Sequence, residues 1–300
     1  MILVIGSTGM VGSEVCRLLT SKNLPVRAMV RSSSDISKKN NLKDLGVQLM
    51  DGDIREKTTF PKILEGITTV ITTISAMPFS YVPGENDLRK VDEEGMFNLI
   101  DEAKKAGVKH FIYTSFSKNF DFAFPLSITK RKVEKHLQNS GMNYTILRPS
   151  CFMEVWLSPA VGFDAMNGKV NLCGDGTKPI AYISFKDVAK FAVESVSNPY
   201  ALNAELELGG PENLSQLEAV KIFEEVLQKK MEIQHIQLEA LMAQLNSVED
   251  GMQKSFTGLM ICVAEGDLID MKEVLRKFQI GLTSVTEYAK SVAVAQPAHA

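Results

Sequence analysis

Gly6, Gly9 and Gly12 punctuate the head of the chain, MILVIGSTGMVGSEVCRLL, between an apolar run and an amphipathic one. Each glycine has its own use in such a place. Gly6 permits a tight turn off a strand, Gly9 lets the backbone approach a pyrophosphate, and Gly12 lets a helix pack closely on a sheet. The turn Gly6-Ser7-Thr8-Gly9-Met10-Val11-Gly12 is thus a candidate dinucleotide cradle, with free N–H groups and a positive dipole end facing the phosphates. Its Gly-x-x-Gly-x-x-Gly spacing is one residue longer at the front than the common fingerprint. After the second apolar run, in VRAMVRSSS, no Asp or Glu stands ready for an adenosine ribose 2′-hydroxyl. Arg31 occupies that place, followed by three serines, with Lys38 and Lys39 nearby. A guanidinium clamps a 2′-phosphate with two hydrogen bonds, so these residues favour NADP(H) over NAD(H). The alternative is an Arg31 that stacks on adenine or lies along the surface. Asp53, in Asp51-Gly52-Asp53, either holds the adenine amino group or is an ordinary turn aspartate.

These residues need a scaffold that alternates strand and helix. Apolar β-rich runs at Ile2–Ile5, Val26–Val30, Val47–Met50, Thr69–Ile74, Lys109–Thr114 and Asn143–Leu147 read as strands covered on both faces. Helices are expected at Val11–Thr20, Lys57–Leu64, Leu88–Lys105 and Leu126–Gln138, several of them ending on a glycine that leads into a strand. The alternation predicts an α/β fold, a Rossmann-like doubly wound parallel sheet with a smaller α+β C-terminal lobe. The dinucleotide-binding domain is placed at 1–150, with 178–197 packing back on it, the smaller lobe at 151–292 and a disordered tail at 293–300. In the second part the pattern gives a helix near Phe152–Phe163 and strands at KVNLC, Ile180–Ile183, Glu205–Leu208 and Glu232–Ile236. Helices are expected at Lys186–Ser195, near Ser215–Gln228 and onward to about Val292.

Composition excludes several functions. A net charge of -3 and a pI near 5.9 provide no field for nucleic acid or anionic lipid. No run of about 18 apolar residues is present to span a membrane. Met1 leads into ILVIG without a basic n-region, so the cytosol is the expected compartment. Cys16, Cys151, Cys173 and Cys262 lack zinc or disulfide spacing and read as packed thiols, so no metal is expected. His110, His136, His235 and His299 form no constellation.

With these residues in view, the chain resembles the atypical short-chain dehydrogenase/reductases, in particular the NmrA-like group with its isoflavone-reductase-like and quinone-reductase-like relatives. The stretches that carry the likeness are MILVIGSTGMVG, VRAMVR, DGDI, IDEAKKAGVKHFIYTS, KRKVEKHLQNSGMNYTILRPSCFME and ISFKDVAKFAV. The resemblance puts Ser115 at the serine that closes the fifth strand and Lys130 at the lysine of a Tyr-x-x-x-Lys pair. The tyrosine position is Leu126, so the usual proton donor is missing. The resemblance then leaves Lys130 to handle the proton or to bond the nicotinamide ribose; a solvated lysine in TKRK is the plain alternative. Tyr81, in the loop after the fourth strand, is a second candidate, while Tyr113 is expected in the core. Ile74, Ser75, Ala76 and Pro149 complete the expected cofactor-lining set, at the ends of the fourth and sixth strands. Phe116, Phe120, Phe122, Phe124, Phe152, Met153 and Trp156 either wall a pocket for a flat apolar substrate or pack between lobes. Two functions follow from the resemblance. One is an NADP(H)-dependent reductase of a quinone, carbonyl or conjugated substrate; the other is a non-catalytic NADP(H)-binding sensor, regulator or assembly factor with a protein partner.

Overall fold

Strands buried at every residue need apolar side chains on both faces, and the first half of the chain supplies them. In the computed structural model, which describes residues 1–77, 80–120 and 122–294, β1 (Ile2–Ile5), β2 (Val26–Val30), β4 (Thr69–Thr72) and β5 (His110–Thr114) are buried throughout. With β3 (Gln48–Asp51), β6 (Asn143–Pro149) and β10 (Ala204–Leu208) they form a seven-stranded sheet in the order β10-β6-β5-β4-β1-β2-β3. Parallel pairing runs from β6 to β3, in a register that sets Ile5 beside Met29 and Thr72, Thr72 beside Tyr113 and Thr114 beside Leu147. The carboxyl ends of these strands therefore share one edge, and the strand order turns back on itself between β1 and β4, where such sheets hold ligands. The helices between them are α1 (Met10–Ser21), α2 (Ile36–Asp44), α3 (Phe60–Leu64), a π-helix (Leu88–Gly95), α4 (Met96–Lys105) and α5 (Pro125–Asn139). Leu3, Ile5, Phe60, Ile63, Val70, Leu99, Ile100, Phe111 and Val133 are among the side chains of the core.

The chain divides into two compact units. The first comprises Met1–Phe116, Phe122–Arg148 and Val188–Leu206; the second comprises Ser117–Asp121, Pro149–Asp187 and Glu207–Ala300. The elements after β6 are α6 (Met153–Trp156), β7 (Phe163–Asp164), β8 (Lys169–Cys173), β9 (Pro179–Ile180) and α7 (Phe185–Glu194). After β10 come β11 (Leu214–Ser215), α8 (Gln216–Leu227), β12 (Glu232–Ile236), α9 (Leu238–Ser247), α10 (Gly251–Glu265), α11 (Lys272–Phe278) and α12 (Val285–Val294). Strands β12-β8-β7 make a small mixed sheet, and β11 pairs with β9.

Several expectations change. The helix expected over Leu88–Lys105 is two pieces, a π-helix and α4. The helix near Phe152–Phe163 shrinks to α6 and a 3-10 turn at Pro159–Val161, cut by Pro159 and by Gly162 at φ 86°. Helix α2 was not expected, because only Leu42 is buried and no apolar stripe marks it; Asp35 caps it by accepting from the N–H groups of Ser37 and Lys38. The strand expected at Glu205–Leu208 belongs to the large sheet, beside β6. The strand expected over Ile180–Ile183 is a strand only at Pro179–Ile180, with Ile183 in a single parallel bridge to Phe152. Ala293 and Val294 end α12, and the rest of the expected disordered tail, His299 included, lies outside the described residues.

Candidate functional site

The glycine turn is built as its spacing implies. Gly6 has φ +84°, and a Cβ there would stand 2.8 Å from Thr73 Oγ1 and 3.0 Å from the Ile74 nitrogen. A Cβ on Gly12 would fall 2.2 Å from the Gly6 carbonyl oxygen. The fold itself therefore requires both to be glycine. Gly9 differs: it is exposed, and its Cβ would meet only the Gly6 oxygen, at 3.3 Å. The bare backbone at Gly9 leaves room on the solvent side, as an approaching pyrophosphate needs. Gly9 is also the N-cap of α1 and offers no side-chain cap; the first intrahelical bond runs from the Ser13 N–H to the Gly9 carbonyl at 3.0 Å. The N–H groups of Met10, Val11 and Gly12 thus have no intrahelical acceptor and form the positive end of the helix dipole. Ser7 is buried and donates to the Met29 carbonyl at 3.3 Å, tying the turn to β2, while Thr8 stays half-buried. These features fit a dinucleotide phosphate.

Arg31 follows β2, and its Nη1 donates to Asn86 Oδ1 at 3.3 Å. Asn86 is itself buried and held by the Ser80 hydroxyl at 3.2 Å, so the loop after β4 reaches back to the end of β2. Lys39 Nζ donates to the Ser32 carbonyl at 2.7 Å, which brings a second cation to the serine stretch. Asp53 is engaged by Arg55, whose Nε and Nη2 donate to its two oxygens at 2.9 and 2.5 Å. Burial pushes the Asp53 carboxyl up, but the Arg55 bonds and the Arg31 charge outweigh it and hold it below the usual range. An adenine amino group at Asp53 would have to share a carboxylate already occupied by Arg55.

On the other side of the turn, Ile74 and Ser75 are half-buried and Ala76 is buried. The Ser75 hydroxyl accepts from the Met77 N–H at 3.1 Å, and the Ala76 N–H donates to Asp92 Oδ2 at 2.9 Å. Asp92, on the π-helix, is fully buried, and its Oδ1 lies 3.4 Å from Lys130 Nζ. Lys130 is only 5% exposed, which excludes the solvated alternative. Its ammonium stands 5.1 Å from the centroid of the Tyr113 ring. Tyr113 is in the core, as expected. Burial, with the Asp92 and Glu134 carboxylates, pushes its phenol well above the usual tyrosine range, so it stays a neutral hydroxyl. Ala76, Asp92, Lys130 and Tyr113 are thus linked contact by contact, and Thr73 and Ile74, just before Ala76 in the chain, border Gly6.

Ser115 belongs to a second knot. Its hydroxyl donates to Glu134 Oε1 at 2.5 Å, and Glu134 also receives Arg131 Nη1 at 2.6 Å and Arg148 Nη2 at 2.6 Å. Arg148 is shared with Glu205 at 2.7 Å. The Ser115 proton is therefore directed at a carboxylate. Leu126, at the tyrosine position, is buried and brings no hydroxyl. Tyr81 packs, half-buried, against the core of the first unit, and Pro149 ends β6. The aromatic residues separate. Phe124 stands 6.1 Å from Phe116 and 5.0 Å from Phe122 in the first unit. Phe120 and Met153 are buried in the second, where Trp156 lines a cavity with Phe163, Tyr182, Phe256 and Met260. All four cysteines are buried free thiols. No helix among the described residues is long and apolar enough to cross a membrane.

Sequence reasoning missed Asp92, Glu134 and Asn86. A signal existed for Asp92: it interrupts the buried positions Leu88, Val91 and Gly95 with a charge, where a plain helix would have an apolar side chain.

Comparison with known proteins gives three results. The model of the NmrA-like family matches residues 1–289. Among curated proteins, an NAD(P)H azoreductase of Xenophilus azovorans is 33% identical over 219 residues, 73% of this chain and 71% of that protein. A photosystem II assembly factor of Trieres chinensis is 30% identical over 238 residues, 79% and 72% of the two chains. Among solved structures, an NADPH-dependent quinone oxidoreductase from Escherichia coli in complex with NADPH superposes with a TM-score of 0.79 at 22% identity, covering 98% of this chain and all of that one. At that identity the likeness speaks to the fold.

Proposed function

The chain belongs to the NmrA-like family, and from that premise we propose that it is an NADP(H)-dependent oxidoreductase that reduces an apolar quinone, carbonyl or conjugated substrate. The observation that carries this reading is the buried Lys130 ammonium, tied through Asp92 to the Ala76 N–H, two residues along the same loop from Ile74, whose nitrogen borders Gly6. The N–H groups of Met10, Val11 and Gly12 hold the pyrophosphate, and Arg31 with its serines takes the 2′-phosphate. Asp53 borders the adenine, and Ile74, Ser75, Ala76 and Pro149 line the remainder. NAD(H) is the lesser alternative. The bound cofactor supplies hydride, and the protein supplies placement. Lys130 bonds the ribose hydroxyls or gives a proton to the reduced substrate. Ser115 acts through its lone pairs and through Glu134, and Tyr81, in the loop after β4, is the second candidate for the proton. A quinone acceptor needs little acid assistance, because hydride transfer leaves a stable phenolate, so Leu126 is tolerable where an alcohol dehydrogenase would need tyrosine. The relative named as an NAD(P)H azoreductase supports a reductase of conjugated acceptors.

The relatives named as photosystem II assembly factors support a second reading, a protein that binds NADP(H) and answers to a protein partner without turnover. One experiment separates them: NADPH and NADH consumption with a panel of quinones, azo dyes and aryl enones, alongside direct binding of each cofactor. Oxidation above background is expected with NADPH. Tight NADPH binding with no oxidation of any acceptor would reject the reductase and favour the second reading.

A further inference from the structure

Asp92 is a carboxylate with no exposure at all, and burying such a charge costs several kcal/mol unless partners compensate it. A leucine would serve the packing of a helix better, so the partners carry the explanation. There are two, and they lie on different elements. Oδ2 accepts from the Ala76 N–H at 2.9 Å; Oδ1 faces Lys130 Nζ at 3.4 Å and makes no hydrogen bond among the described residues. The residue sits on a π-helix, a local widening that is rare and recurs at functional sites. The packing of that widened turn requires glycine at Gly95, since a Cβ there would lie 2.9 Å from both the Ile54 and Lys90 carbonyl oxygens. Lys130 is likewise confined, by Asp92 on one side and the Tyr113 ring on the other.

We infer that Asp92 is a positioning residue: one carboxylate sets the Lys130 ammonium and the Ala76 peptide at a fixed spacing, so that a cofactor seated along the peptide is registered against the lysine. The inference rests on the reading of Lys130 given above. Asp92→Asn keeps an acceptor for Ala76 and removes the charge that faces Lys130. Lys130→Met removes the ammonium alone. The test is a cycle of the two single variants and the double variant, read in the dissociation constant for NADP+ and, separately, in kcat for quinone reduction.

Each single variant is expected to weaken NADP+ binding or lower kcat by about 10-fold, and the double variant to lose no more than about twofold beyond the worse single, because one contact is lost in all three. Losses that multiply in the double variant would overturn the inference, as would an Asp92→Asn protein matching wild type in both readouts. If Lys130→Met itself changes neither readout, the lysine reading falls and the inference with it; an effect of Lys130→Met without one of Asp92→Asn removes the inference alone. Should Asp92→Asn not fold, hydrogen exchange of the Ala76 amide decides on wild type and Lys130→Met. The exchange should quicken by about 10-fold when the carboxylate loses its counter-ion. Unchanged exchange would contradict the coupling.

Discussion

At the scale of single residues, Arg31 has an uncharged partner where Arg55, Arg131 and Arg148 have carboxylates. Its guanidinium has the Asn86 amide oxygen at 3.3 Å, whereas Arg55 is bound by Asp53 and Arg131 by Glu134. A 2′-phosphate would meet a planar donor fork already aimed by a neutral partner. Arg31→Ala should therefore weaken NADPH by about 10-fold or more and NADH by less than about twofold, as measured by fluorescence or calorimetric titration. Equal losses for both would mean that Arg31 serves the adenine or the surface. Asp92 and Lys130 stand at the other extreme. Each is buried and fixed, and neither could move far without leaving a charge unpaired.

At the scale of elements, β5 and β6 are joined by more than their ladder. His110 Nε2 lies 2.8 Å from Thr145 Oγ1, and the threonine gives its own proton to the Ala201 carbonyl at 2.7 Å. The histidine must then donate from Nε2, which the neutral ring can do. Burial pushes His110 down to about 4 from an ordinary 6.5. Since the unfolded chain binds the proton first, this contribution to stability is complete above about pH 6.5 and is lost as the pH falls toward 4. Chemical denaturation at pH 7 and pH 4.5 should differ by on the order of 2 kcal/mol from this group, and His110→Gln should flatten that slope. An unchanged slope would show that His110 does not govern it. The central strands were legible from continuous apolar runs, and the glycine turn from its place between strand and helix; β3, expected to be covered on both faces, has no buried residue because it lies at the sheet's edge. The π-helix was not, because Leu88, Val91, Gly95, Met96, Leu99 and Ile100 keep the spacing of an ordinary helix while the hydrogen bonding changes beneath it. Asp92 was marked only as a charge among buried positions; which peptide and which lysine it meets, spacing along the chain does not reveal.

At the scale of the whole molecule, the first unit is not one continuous stretch of chain. It takes Met1–Phe116 and Phe122–Arg148, then waits for Val188–Leu206. The latecomer supplies most of β10, which covers β6, and Glu205, which shares Arg148 with Glu134. A fragment ending at residue 148 would leave β6 as an open apolar edge and a buried arginine without its Glu205 partner. It should be insoluble or lack a cooperative unfolding transition, as judged by sedimentation and circular dichroism. A soluble fragment with a sharp transition would mean that the later segment is dispensable. The same interleaving sets a clock on synthesis. A ribosome adding roughly 5–20 residues per second needs about 3–12 seconds to travel from residue 148 to residue 206. Throughout that interval the nascent sheet holds an uncovered strand, so each newborn chain passes through a brief window in which a chaperone or a neighbouring nascent chain can reach β6 before its own β10 does.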